Sequence, residues 1–284
     1  MIGGKPKGPA QNAVLLYPAL VLGVFFVVPF GTMLAMSFFR RSDQLYEPAF
    51  EFTNYAQFLT AFFGKTLGFS LLLAGVAALV SVTVAFPFTY LMTRQRRRVQ
   101  VRWLVFILAV LSLSEVIIGF AWATLLSRTA GLSNVLVWLG LLDTPQAWSP
   151  GFPALLLGLC DVGFPYTVLV LYPALSRLDP ELPEASRMLG ASPLRSFFNV
   201  VVPVLKNSII SSLIMVFVFN LGAYELPQVL GRPQHWTLSV HITDQAIQNS
   251  NMPFAAAMAV FLMLVSLALV GLTLLLGQER RPAR

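Results

Sequence analysis

Residues 184–203, EASRMLGASPLRSFFNVVVP, lie between two long apolar segments and carry the pattern of a short charged helix followed by a second helix. Just before them, Asp179 and Pro180 form a helix start, because aspartate caps the first amide groups and proline suits the first helical position. Glu181 and Glu184 follow in the first turns, where the helix dipole favours carboxylates. The sequence therefore predicts a capped helix where a simple connection between two apolar segments would need only a few polar residues.

A glycine separates this helix from the next one. Gly190 is placed to end the first helix, since glycine readily adopts the left-handed conformation after a last turn. Ser192 and Pro193 then repeat the pattern of a cap followed by proline, which predicts a second helix extending through Val201. Leu182, Ala185 and Leu189 lie at helical spacing and predict a narrow apolar face on the first helix. Two interpretations stay open on this pattern: a connector lying on the membrane surface, or a rigid docking element.

The composition predicts an all-α integral membrane protein. Of 284 residues, 57% are hydrophobic and only 11% are charged, whereas soluble domains are about a quarter charged. Long uncharged runs of this kind are typical of transmembrane helices. We expect a tail at 1–12, one transmembrane domain at 13–277 with the segment 177–206 connecting its fourth and fifth spans, and a tail at 278–284. The six predicted spans are 13–39, 66–93, 103–127, 152–176, 207–231 and 254–277.

The basic residues predict the orientation. Fourteen of the 19 lysine and arginine residues fall in the two tails, in the connection that contains RQRRRVQVR, and in the segment 177–206. The other five fall in the alternate connections. Cytoplasmic connections carry the excess of basic residues, so we expect both termini and the segment 177–206 in the cytoplasm. This distribution also accounts for the net charge of +7 without a nucleic-acid partner.

The sequence lacks the patterns of several other classes. Cys160 is the only cysteine, so an intrachain disulfide is excluded. We find no glycine-rich phosphate loop with its lysine and no nucleophile–base pattern, so we expect a non-catalytic chain that binds no cofactor itself. An ion-coupled secondary transporter remains an alternative, but it predicts an inverted internal repeat that the sequence does not show.

The stretch at 184–203 resembles the cytoplasmic motif of the permeases of ABC importers. Their spacing is Glu-Ala-x, three residues, Gly, nine residues, then aliphatic-x-aliphatic-Pro. It is matched here by Glu184, Ala185, Gly190, the valines before Pro203, and Pro203 itself. Ser186 departs from the usual second alanine. The neighbouring LDPELPEASRMLGAS and LGAYELPQVLG look like the spermidine/putrescine branch of these permeases.

This resemblance implies a role for the stretch and a set of partners. It implies a coupling helix that docks on an ATPase dimer, which binds the ATP and Mg. It also implies a second permease chain, identical or homologous, an extracytoplasmic solute-binding protein, and a location in the bacterial inner membrane. In this role Ala185, Gly190 and Ala191 would permit close approach, and Glu184 would offer a carboxylate. Met188 and Leu189 would supply the apolar contact.

Three acidic residues fall within the predicted spans, where such residues are costly and mark function by default. They are Glu115, Asp161 and Glu225. A straight third span would place Glu115 about 18 Å from the cytoplasmic end. We expect a cation path in which aromatic rings also contact the solute; the candidates are Trp122, Phe164, Tyr166 and Tyr224. The alternatives are a capping role for Asp161, a hydrogen bond from a serine to Glu115, and a hydrated interfacial position for Glu225.

A polyamine, with ammonium groups spaced along an apolar stem, suits separated carboxylates and aromatic rings. The resemblance favours the same solute. Ferric iron, thiamine, phosphonates and opines remain alternatives, because related permeases carry them.

Overall fold

In a computed structural model, the protein is predominantly helical, and the structure describes residues 9–42, 45–57, 60–129 and 131–277. Two short strands, β1 (Arg40–Ser42) and β2 (Leu45–Glu47), pair antiparallel. The helices in chain order are α1 (Pro9–Met36), α2 (Thr53–Ala56), α3 (Ala61–Thr93), α4 (Arg97–Leu111), α5 (Glu115–Leu125), α6 (Leu132–Trp138), α7 (Phe152–Ser176), α8 (Glu181–Met188), α9 (Pro193–Ser196), α10 (Val202–Val204), α11 (Lys206–Gly222), α12 (Glu225–Leu230), α13 (Leu238–Thr243) and α14 (Met252–Gly277). Shorter π-helical segments cover Phe197–Val201 and Asp244–Gln248, and a 3₁₀ turn covers Pro233–His235.

The contacts divide the chain into two units, one made of 1–60 and 242–263 and the other of 61–241 and 264–284. In the first unit, the hairpin follows α1. The side-chain amide of Asn54 donates to the backbone oxygens of Ser37 and Phe39, both at 3.0 Å. The hydroxyl of Tyr46 donates to the backbone oxygen of Ser250 at 3.0 Å. The two bonds from Asn54 satisfy backbone oxygens just after the end of α1, and the bond from Tyr46 ties the hairpin to the turn before α14.

Four helices of the described residues are long and apolar enough to cross a membrane. They are Tyr17–Met36 within α1, α3, α7, and Met252–Thr273 within α14. Two bent pairs bring the number to six if each pair forms one span: α4 with α5, bent by 91°, and Pro193–Val204 with α11, bent by 74°. The chain is therefore a multi-pass helical membrane protein with four to six spans.

The predicted span 103–127 is bent by 91°, because α4 ends and α5 begins within it. The hydroxyl of Ser112 donates back to the oxygen of Ala109 at 2.7 Å. The hydroxyl of Ser114 accepts from the amide of Val116 at 3.3 Å and so caps α5. Serine side chains that bond to the backbone in this way end one helix and start another.

The predicted span 207–231 is also divided. Helix α11 ends at Gly222, Ala223 is extended, and α12 begins at Glu225. Gly222, the last residue of α11, marks the break. Pro227 lies inside the new helix, where it replaces an amide that has no helical partner in a first turn.

The core of the second unit is built on α3 and α7, with α11 packed against both. A side-chain carbon at Gly163 of α7 would lie 2.6 Å from the hydroxyl oxygen of Ser81 and 3.2 Å from a methyl group of Val216. Close packing of the three helices therefore depends on the absence of a side chain at this position. Helices α5 and α12 pack against each other and against α7, which brings two of the acidic residues onto this core.

Candidate coupling segment and acidic path

The helix α8 has the caps that the sequence predicts. The Oδ1 atom of Asp179 accepts from the amide of Glu181 at 2.9 Å. At the other end, Gly190 has a φ of +90°. Its amide donates to the oxygen of Arg187 at 3.0 Å, and the amide of Ala191 donates to the oxygen of Ser186 at 3.1 Å. This pair of bonds is the Schellman motif, which requires a left-handed residue and so favours glycine.

The second helix starts as predicted and is tied to the first. The hydroxyl of Ser192 accepts from the amide of Arg195 at 3.3 Å. The buried hydroxyl of Ser196 donates to the oxygen of Pro183 at 3.0 Å, which joins the two helices. Val201 is fully buried in a cluster with Phe86, Leu171, Leu175, Leu178 and Leu205. The segment is therefore fixed to the ends of α3 and α7.

The exposed side of α8 is apolar at its C-terminal end. Met188 and Leu189 are 89% and 90% exposed. Glu184, Ala185, Gly190 and Pro203 are exposed as well, whereas Ser186 and Ala191 are partly buried. The predicted apolar face of Leu182, Ala185 and Leu189 does not pack on the protein. Pro183 forms the buried contact instead, and its backbone oxygen accepts the bond from Ser196.

Two of the acidic residues start two helices that pack together. Glu115 is the first residue of α5 and Glu225 is the first residue of α12. Both side chains are partly buried, and α5 packs on α12, so negative charges on both carboxyl groups would repel each other. The amide ends of the two helices partly offset that repulsion. The depth of about 18 Å expected for Glu115 assumes a straight third span. The 91° bend before Glu115 means that this depth does not apply.

The third acidic residue is bonded to an aromatic one. The indole N–H of Trp122 donates to Oδ2 of Asp161 at 3.1 Å and so joins α5 to α7. Tyr166 and Trp122 pack against the same apolar cluster, and the rings of Tyr166 and Phe219 have centroids 4.6 Å apart. The structure thus brings Trp122, Asp161 and Tyr166 onto one core region.

The other two predicted aromatic residues do not join this cluster: Phe164 lies in a different cluster, and Tyr224 lies at the break between α11 and α12. Phe164 packs against Phe88 in a different cluster, with ring centroids 5.2 Å apart. Tyr224 immediately precedes α12 and is partly buried, and its backbone oxygen accepts from the amide of Gln228 at 3.1 Å. Among the described residues, the recorded ion pair joins Arg40 and Glu51 and leaves the three carboxylates without a basic partner.

Asn220 is a polar residue of this region that the sequence reasoning missed. It is 2% exposed in α11, and neither atom of its side-chain amide has a hydrogen-bond partner in the described part of the chain. A polar side chain inside an apolar run two residues before Gly222 is the signal that could have identified it. The same described residues hold no cluster of three or more metal-ligating side chains.

A family model covers almost the whole chain. The model of the binding-protein-dependent transport system inner membrane component matches residues 12–282. The chain belongs to this family. It is thus a membrane permease subunit of an ABC importer, as the motif at 184–203 indicates, and it lies in the bacterial inner membrane.

Three permease proteins of known systems are similar to this chain. The spermidine/putrescine transport system permease protein PotB of Escherichia coli (strain K12) is 28% identical over 87% of this chain and 89% of that protein. PotB of Salmonella typhimurium (strain SL1344) is 26% identical over 94% of this chain and 92% of that protein. The ferric transport system permease protein FbpB of Actinobacillus pleuropneumoniae is 25% identical over 59% of this chain but only 24% of that protein.

A solved structure supports the fold. A chain of a bacterial alginate ABC transporter, solved with an alginate-bound periplasmic protein, is similar with a TM-score of 0.72. It is 18% identical, and the alignment covers 93% of this chain and 92% of that chain. At this identity the likeness concerns the fold.

Proposed function

We propose that this chain forms half of the translocation path of an importer for a small cationic solute, such as a polyamine. The observation that carries the proposal is the pairing of Glu115 and Glu225 at the starts of two packed helices, α5 and α12. Two negative charges at these positions would repel each other, and a bound cation would relieve that repulsion. The named PotB relatives support a polyamine as the solute.

The arrangement of Asp161 and the aromatic rings adds to this proposal. Asp161 offers a third carboxylate, oriented by the indole of Trp122. Tyr166 beside it and Tyr224 next to Glu225 would contact the apolar stem and the ammonium groups of a polyamine. A solute with two or more separated ammonium groups would contact both acidic positions, whereas a thiamine or a phosphonate would not.

The segment 177–206 would couple the path to ATP hydrolysis. Burying a large apolar side chain contributes about 1.5–3 kcal/mol, and Met188 and Leu189 are almost fully exposed at the end of α8. A cytoplasmic ATPase that covers them would gain this contribution. Because α8 is bonded to the helix that follows it, movement of the docked ATPase would reach α11 as a rigid-body displacement.

The proposed assembly has several parts. A second permease chain, identical or homologous, would complete the path, and an ATPase dimer would bind the ATP and Mg. An extracytoplasmic solute-binding protein would deliver the solute. Six spans with both termini in the cytoplasm fit the distribution of basic residues.

Uptake by the assembled transporter tests the path. The chain is expressed with its partners, and uptake of radiolabelled putrescine and spermidine is measured for Glu115→Gln combined with Glu225→Gln. We expect uptake to fall about tenfold or more, because a charged hydrogen bond contributes about 1.5–3 kcal/mol. Asp143→Asn is the matched control, since it removes one exposed carboxylate outside the helices.

Two results would contradict the proposal. Normal polyamine uptake by the double variant, with the partners still co-purifying, would refute the proposed acidic path. Uptake of ferric iron, thiamine or a phosphonate by the unaltered transporter, without uptake of a polyamine, would leave the permease assignment intact and refute the solute.

A further inference from the structure

A polar cavity of about 470 Å³ lies where the end of α3, the start of α4 and the end of α7 meet. Among the described residues, no acidic side chain lines it. Its lining residues are Thr93, Arg97, Gln100, Tyr172, Pro173, Ser176 and Arg177. The two arginines are exposed and line the same cavity, so the cavity presents two positive charges.

A chain of hydrogen bonds holds one of these arginines. The Nη1 atom of Arg97 donates to the hydroxyl of Tyr172 at 2.7 Å, and that hydroxyl donates to Oε1 of Gln100 at 2.9 Å. The amide nitrogen of Gln100 in turn donates to the backbone oxygens of Thr93 and Gln95, at 3.0 and 2.8 Å. The bond to Tyr172 therefore fixes the orientation of the Arg97 guanidinium. Its other N–H groups remain available to a ligand in the cavity.

Neither Arg97 nor Arg177 forms an ion pair within the described part of the chain. Arg97 is also the first residue of α4, where the helix dipole adds positive potential. Two guanidinium groups at the wall of one cavity match the oxygens of a phosphate group, which arginine binds in bidentate geometry.

We propose that this cavity binds a phosphate group, held between Arg97 and Arg177. The phosphate could belong to the headgroup of an anionic phospholipid or be free in solution. Tyr172 would act as a positioning residue, since its hydroxyl orients Arg97. This site is distinct from the acidic path and from the exposed end of α8.

Arg177 links the phosphate site to the segment 177–206. It follows the last residue of α7 and begins the segment that leads through Asp179 into α8. A phosphate that bridges Arg97 and Arg177 would tie the start of α4 to the root of that segment. Occupancy would thus restrain the segment that we propose to couple transport to ATP hydrolysis.

The test compares two sources of phosphate. The purified chain is placed in nanodiscs that contain phosphatidylcholine with phosphatidylglycerol, and native mass spectrometry counts the phosphatidylglycerol that remains bound after release. In nanodiscs of phosphatidylcholine alone, ³¹P NMR follows the line width of added inorganic phosphate. The variant is Arg97→Gln with Arg177→Gln. The matched control is Arg96→Gln with Arg98→Gln, which removes the same charge from exposed residues that do not line the cavity.

We expect the wild type to bind in at least one arm, the control to bind equally, and the double variant to bind about tenfold more weakly or worse. Retained phosphatidylglycerol indicates a lipid headgroup, and broadened inorganic phosphate indicates a free anion. Tyr172→Phe keeps both charges and should weaken the same arm by a smaller factor. No binding by the wild type, or equal loss in the control and the double variant, would overturn the proposal.

Discussion

Asp161 and Trp122 show how a charged residue is accommodated within an apolar helix. The indole nitrogen of Trp122 lies 3.1 Å from Oδ2 of Asp161, and both residues are partly buried. A hydrogen bond to a carboxylate is stronger than one between neutral groups. The contact therefore joins α5 to α7 and fixes the direction in which the carboxylate points.

Replacing Trp122 with phenylalanine keeps an aromatic ring but removes the N–H group. We expect Trp122→Phe to lower the free energy of unfolding by about 1–3 kcal/mol, because the carboxylate loses its donor in a partly buried place. Thermal unfolding of the purified chain in detergent measures this. Trp138→Phe, at an exposed position without such a bond, should leave the midpoint unchanged; an equal effect of both changes would contradict the role of the hydrogen bond.

Gly231 ends α12 in the LGAYELPQVLG stretch, and its small size is required by the backbone. A side-chain carbon at this position would overlap the backbone oxygen of Pro227. Because that oxygen belongs to the backbone, the helix end would have to shift, at a cost of about 1–3 kcal/mol. We expect Gly231→Ala to lower the unfolding midpoint, which differential scanning measures.

Gly68→Ala provides the comparison for Gly231→Ala, since an added carbon at Gly68 meets nothing within 4 Å. Alanine also favours a helix over glycine. A midpoint for Gly231→Ala at or above that of Gly68→Ala would contradict the steric account.

At the residue scale, the sequence identified the three acidic residues but not their partners. An acidic side chain inside a membrane span is energetically costly, so Glu115, Asp161 and Glu225 stand out in the sequence. Which of them meet depends on how α5, α7 and α12 pack, and periodicity contains no information on that packing. The bond from Trp122 to Asp161 is of this kind.

At the element scale, the helix caps of 179–196 could be predicted because each depends on neighbouring residues. Gly190 ends α8 with a φ of +90°, and Ser192 caps α9. The break between α4 and α5 depends on equally local bonds from Ser112 and Ser114. The sequence did not predict this break, because the long apolar run sets the average hydropathy of the window and two serines barely lower it.

The left-handed conformation of Gly190 is open to a direct test. Nothing lies within 4 Å of an added side-chain carbon there, so alanine would be opposed by the backbone conformation alone, at about 1–2 kcal/mol. We expect Gly190→Ala to speed amide hydrogen exchange at residues 186–191, with α7 unchanged. Gly190→Asn should have a smaller effect, because asparagine tolerates this conformation better. Equal protection in all three proteins would contradict the account.

At the scale of the whole molecule, composition predicted a helical membrane protein, and the family match confirms it as a permease. Orientation stays a prediction from the basic residues. With Cys160→Ser as background, we expect Arg98→Cys, at an exposed position of the predicted cytoplasmic connection, to react with an impermeant maleimide only after the cells are opened. Phe50→Cys, at a side chain that is 95% exposed in a predicted outward connection, should react in intact cells. The reverse pattern would refute the predicted orientation.

The bends of the chain belong to the whole molecule as well. A predicted span is a length of apolar sequence, and the sequence does not say whether that length is straight. The 91° bend between α4 and α5 and the 74° bend before α11 both occur where helices pack on α7. Tertiary packing can stabilise such bends, and a hydropathy pattern does not detect them.

If the exposed end of α8 docks on a cytoplasmic ATPase, the ATPase should co-purify with the chain after gentle solubilisation, and this contact should depend on Met188 and Leu189. The wild type and Met188→Asp with Leu189→Asp are solubilised from membranes that hold their partners, and mass spectrometry identifies the proteins that co-purify. We expect the wild type to retain an ATPase and a second permease chain, and the variant to lose the ATPase while keeping the permease. Phe50→Asp, the matched control, should retain both. An ATPase retained in full by the Met188→Asp and Leu189→Asp variant would contradict the account.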